Sequence, residues 1–153
     1  MINISDLDKA KLDYHDEIIA SLEEAKNYLA GFEWCCEIKD GWLAASWGYI
    51  LSIFYFNIQP DNISCQDEYI WIIVGDLPPT YIDVITAPTA FDALESYIRI
   101  MQEWVDNVFS GKSVEDCYPI NVPPRKEYAE MLNGRLELLR KDFLPALSSE
   151  QIK

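Results

Sequence analysis

Basic residues are scarce in this chain and missing altogether from one long stretch. Between Lys39 and Arg99 there is no Lys or Arg, whereas Asp40, Asp61, Asp67, Glu68, Asp76, Asp83, Asp92 and Glu95 all fall there. Nucleic-acid binding draws most of its affinity from cations that displace counterions, so this pattern speaks against a DNA or RNA partner. Histidine occurs once, as His15, and there is no CxxC pair, ExxH pair, calcium-loop spacing or glycine-rich phosphate loop. The usual zinc, calcium and nucleotide signatures are therefore missing, and no cofactor or metal is expected. Long apolar runs are missing too: the longest, Tyr49 to Phe56, is interrupted by Ser52. It falls well short of the ~20 residues that span a bilayer, so no membrane association is expected. Residues Met1 to Asp8 carry acid where an export signal needs a basic start and an apolar run, which makes the expected location cytoplasmic.

What is present is acid and a good supply of core. The net charge is -14, and half of the 153 residues are hydrophobic, enough for one domain of ordinary size spanning 1–153. The charge is front-loaded. Residues 1–118 hold 21 acids against 6 bases, and residues 119–153 hold 5 acids against 6 bases. Four cysteines, Cys35, Cys36, Cys65 and Cys117, are expected to be free thiols, because a chain with this much apolar material needs no disulfide staple.

Periodicity predicts helix, then strands, then two helices. Ser5 and Asp8 have capping-box spacing, and Leu7, Tyr14, Ile18, Leu22, Ala25 and Leu29 recur at helical intervals up to Gly31, predicting a helix over about 6–30. From Phe32 the period becomes two, Phe32, Trp34, Cys36 and Ile38 alternating with polar neighbours, and Asp40-Gly41 reads as a hairpin turn. Further strands are expected over 42–46, 49–59 and 69–74, the last apolar on both faces and hence interior, with a weaker one over 81–85. Thr89 and Asp92 open a second helix with the stripe Phe91, Leu94, Ile98, Met101, Val105 and Val108, closed by Gly111. A third follows Pro123-Pro124, with Tyr128, Met131, Leu132, Leu136, Leu139 and Phe143 on one face, and stops near Pro145. The fold class is α+β: an antiparallel sheet of four to five strands packed by an N-terminal helix and two C-terminal helices.

Catalytic equipment is not recognisable. His15 lies among Lys11, Asp16 and Glu17 and reads as a solvated surface imidazole, and no base, nucleophile and oxyanion device stand at a diagnostic spacing. A non-enzymatic role is the expectation. Asp13, Asp16 and Glu17, at i, i+3 and i+4, would put three carboxylates on one side of the first helix. Asp76, inside Gly75-Asp76-Leu77-Pro78-Pro79, is a carboxylate fixed where a buried strand ends, able to orient a ligand or to close its own turn. Trp42 and Trp47 flank small residues and are candidate aromatic anchors for a partner.

In size, acidity and α+β character the chain resembles the small acidic immunity proteins of bacterial polymorphic-toxin systems, a likeness of general properties that transfers no functional residues. The resemblance implies a protein that inhibits a basic toxin by presenting acid to it. Asp13, Asp16, Glu17, Asp76, Trp42 and Trp47 are then the residues to test for partner binding. A homo-oligomeric assembly protein, with a homodimer left open, and a small-ligand protein with a site near Asp76 are the alternatives.

Overall fold

The computed structural model describes residues 1–35, 37–59 and 68–151, so Cys36 and Cys65 lie outside the described residues. The chain divides into two compact units, 1–90 and 91–153.

The first unit is a five-stranded antiparallel sheet in the order β1-β2-β3-β4-β5: Ile2–Asn3, Glu37–Ser46, Leu51–Gln59, Glu68–Gly75 and Thr80–Asp83. Each strand pairs with its sequence neighbour, the arrangement that short connections favour. Helix α1, His15–Ala30, lies against β3 and β4. Its buried Ile18, Leu22, Ala25 and Leu29 join Leu43, Phe54, Phe56, Ile58, Ile70, Ile72 and Val74 in one apolar cluster. Every second residue of β3 and β4 supplies this face, as strand geometry requires. Leu51, Ile53, Trp71 and Ile73 occupy the opposite face and are also buried. The continuous apolar run of β4 thus belongs to an interior strand buried on both faces, as expected.

Three local expectations fail here for identifiable reasons. Helix α1 begins at His15, nine residues later than predicted, because Lys11 and Tyr14 take left-handed backbone angles (φ 44° and 60°) that a right-handed helix cannot include. The cap near the N-terminus is Asn3, whose Oδ1 accepts from the Ser5 amide at 2.9 Å and opens the 3-10 turn Ile4–Asp6; Ser5 does not pair with Asp8 as a capping box. Asp40-Gly41 is not a hairpin turn. It lies inside β2, where a bulge shifts the register between Ile38 and Asp40. Asp40 Oδ1 accepts from the Gly41 amide and from Asn3 Nδ2, and a side chain at Gly41 would collide with the Phe56 ring at 2.5 Å. The glycine serves close approach, and bulges are where strands use glycine so. The real hairpin is Trp47-Gly48-Tyr49-Ile50, held by Trp47 N to Leu51 O at 2.8 Å and Ile50 N to Trp47 O at 3.3 Å. Strand β2 consequently starts at Glu37, and Phe32 and Trp34 sit in turns before it, their rings packed edge-on against Tyr81 of β5.

The second unit is helical: α2, Ala90–Phe109; α3, Lys126–Leu138; a π-helical turn, Leu139–Phe143; and α4, Leu144–Gln151. Leu94, Ile98, Met101 and Val105 of the expected α2 stripe are buried. Gly111 closes that helix in the left-handed region, with Gly111 N bonded to Val108 O and Lys112 N to Asn107 O, the paired bonds of a Schellman cap. In α3, Leu132 and Leu136 are buried but Met131 is exposed. The chain does not stop near Pro145. It passes through the π turn into α4, and the wider turn supplies the room and altered bonding that a proline ring needs where a helix continues past it.

Candidate functional site

The candidate site lies wholly in the first unit, where the β2–β3 hairpin, the end of β4 and one face of α1 meet. Gly75 ends β4 at φ 149°, and a Cβ there would lie 2.2 Å from the Ile50 carbonyl oxygen. Only glycine permits the strand end to approach the hairpin so closely. The next amide, Asp76 N, donates to both Tyr49 O (3.0 Å) and Ile50 O (3.1 Å). The backbone under the exposed Asp76 is therefore pinned to the hairpin.

Opposite it, α1 contributes Ala20, Ser21 and Glu24, which with Tyr49, Ile50, Gly75 and Asp76 line a concavity of about 390 Å³. Glu24 stays exposed as a residue, yet the partial desolvation of its carboxyl outweighs the hydrogen bond it receives from the Gly75 backbone and raises it above its ordinary 4.5. Glu17 lies on the same stripe of α1 as Ser21 and Glu24, at i, i+4 and i+7. Two strongly exposed aromatics flank Gly48: Tyr49, on the wall of the concavity, and Tyr14, whose ring sits 3.7 Å from where a Gly48 side chain would begin.

The residues singled out from sequence are only partly assembled. Asp76 is in the concavity. Asp16 and Glu17 occupy the first turn of α1, where carboxylates suit the positive end of the helix dipole. Asp13 precedes the helix, so the expected triad of carboxylates on one helical face does not form. His15 is held by Asp8 at 2.9 Å and Asp16 at 3.6 Å on the surface. Trp42 is half-buried with its ring 5.9 Å from Tyr55, and Trp47 is half-buried in the hairpin; neither lines the concavity. Sequence reasoning missed Glu24, Tyr49 and Tyr14. Glu24 looks like any solvated helix carboxylate, and the one available signal was Gly75, a strand glycine that marks close backbone approach.

No family model, curated protein or solved structure matches the chain. Among the described residues no three His, Cys, Asp or Glu side chains are placed to hold a metal ion, and no helix is long and apolar enough to cross a membrane. The chemistry on offer is two carboxylates from different elements, with exposed phenol rings beside them, in an acid-rich surface.

Proposed function

We propose that the chain is a protein-binding module that docks a basic protein through the acidic surface of its first unit, in the manner of an immunity protein blocking a cationic toxin. The observation that carries this reading is the convergence of Glu24 and Asp76 with exposed Tyr49 on one concavity. Carboxylates there accept charge-assisted hydrogen bonds from Lys or Arg. Tyrosine gives contact area at low entropic cost and a ring face for a cation, which is why it concentrates at interfaces. The surrounding charge supports the same reading, since residues 1–90 hold 15 acids and 4 bases, a field that speeds encounter with cationic partners. The partner envisaged is cytoplasmic and bacterial, such as a nuclease toxin whose phosphate-binding cleft these carboxylates would cover.

The test is capture of partners from the source cells by the full chain at low and high salt, repeated with Glu24→Lys/Asp76→Lys. Capture of a basic protein that weakens with salt and is lost in the double variant supports the reading. Equal capture by the double variant, with Asp13→Lys/Asp16→Lys/Glu17→Lys equally without effect, overturns it and moves attention to Trp42 and Trp47.

A further inference from the structure

The second unit carries a separate groove of different chemistry. It has a volume of about 600 Å³ and is lined by α2 residues from Glu95 to Asn107, together with Arg140 of the π turn and Leu144. That volume is within the range of small-molecule sites. Two of the protein's four arginines, Arg99 and Arg140, line it. Arg140 donates to Gln102 Oε1, and Gln102 Nε2 is itself committed to Asp106 Oδ1 at 2.9 Å and Asn133 Oδ1 at 3.3 Å. The guanidinium is thus oriented by a fixed amide and keeps its other donors. Arg99 is different. Glu95 and Glu103 lie one helical turn to either side of it, yet among the described residues Arg99 makes no hydrogen bond or ion pair.

The groove's charges restrict what it can hold. Asp106 accepts from the neutral Gln102 amide and keeps its charge, so two guanidiniums face three carboxylates, Glu95, Glu103 and Asp106, around a groove that also includes buried Ile98 and half-buried Leu144. A phosphate or dicarboxylate would put two or more negative charges against three carboxylates with only two guanidiniums to offset them, and a simple cation would meet the arginines with no anionic group to satisfy them. A ligand with one carboxylate, one ammonium and an apolar body meets all three surfaces, the carboxylate being the group that arginine binds in bidentate fashion. The π turn that carries Arg140 is also a form of helix that recurs at functional sites. We propose that this groove binds a free α-amino acid with an aliphatic side chain, its carboxylate on Arg99 and Arg140 and its ammonium on Glu103.

Titration of the full chain with L-leucine, N-acetyl-L-leucine and L-leucinamide, followed by NMR, separates the requirements. Leucine should saturate with a Kd on the order of millimolar, and each blocked derivative should bind about tenfold more weakly or worse. Arg99→Gln, at an exposed position, should weaken leucine by about tenfold while leaving the melting temperature in place. Failure of leucine to saturate overturns the proposal. So does equal binding of either derivative, which would mean that a carboxylate or an ammonium alone suffices, or an unchanged affinity in both Arg99→Gln and Glu103→Gln.

Discussion

The two units use charge and glycine differently. Residues 1–90 contain 15 acids and 4 bases, all four of them lysine; residues 91–153 contain 11 acids and 8 bases, including every arginine in the protein. The first unit therefore presents a nearly one-signed surface, suited to long-range attraction of a cationic partner, whereas the second mixes signs and uses them at short range, as around Gln102. Their backbones differ in the same sense. Gly41 and Gly75 of the first unit lie against a ring and a carbonyl, while Gly111 and Gly134 of the second have nothing within 4 Å of an added side chain. Close approach is a property of the sheet.

The sharpest test of that difference is Trp71. It is 3% exposed, contacts the Tyr55 ring at a centroid distance of 4.7 Å and donates from Nε1 to the Ala87 carbonyl at 2.7 Å. Trp71→Ala removes a large buried ring and leaves that carbonyl without its donor, so it should cost ~3–5 kcal/mol in denaturant unfolding. Wild-type stability in that protein would remove β4 from the core.

Glycine substitutions break the comparison at a smaller scale. Gly75→Ala must move either the strand end or the hairpin, and should cost ~1–3 kcal/mol, with loss of the chemical-shift signature of Asp76 and Tyr49. Gly134→Ala sits in the interior of α3 in open space and should stabilise by ~0.5–1 kcal/mol, because alanine loses less backbone freedom on folding. Thermal melts of the two proteins should shift in opposite directions. Shifts of the same sign would deny that the glycines play different roles.

These contrasts also explain what could be read from the sequence. The α+β class, the strands over 49–59 and 69–74 and the long α2 were legible because many residues in each agree, so that no single side chain decides the outcome. Helix α1 was read nine residues too long because Leu7 and Tyr14 keep the apolar spacing while the backbone at Lys11 and Tyr14 leaves the helical region. Asp40-Gly41 misled for the converse reason: turn chemistry and bulge chemistry use the same dipeptide, and the choice was made by Phe56, 15 residues away. In the candidate site Asp76 was legible from its local string, but Glu24 and Tyr49 join it only through strand pairing and the packing of α1 on the sheet.

The smallest effect concerns Glu24 and bears on whether the acidic concavity is tolerated at a cost. Partial desolvation raises the folded-state carboxyl of this otherwise exposed residue above 4.5 more strongly than the Gly75 backbone hydrogen bond lowers it. A raised folded value means that the unfolded chain loses this proton first as pH rises. Ionisation of Glu24 consequently favours unfolding, and whatever stability the protonated form contributes is fully present below about 4.5 and is lost as pH climbs through the folded value. Glu24→Gln keeps an acceptor for the Gly75 amide but cannot ionise. It should therefore melt slightly above the wild type at neutral pH, and the gap should close near pH ~3.5, where Glu24 is protonated in both states. The same variant should associate more slowly with a basic partner at low salt, because one carboxylate is gone from the concavity. A variant that melts below the wild type at neutral pH, or a gap that widens on acidification, would mean that the Gly75 bond dominates and that the carboxylate is held for stability, leaving the partner to be sought elsewhere on the first unit.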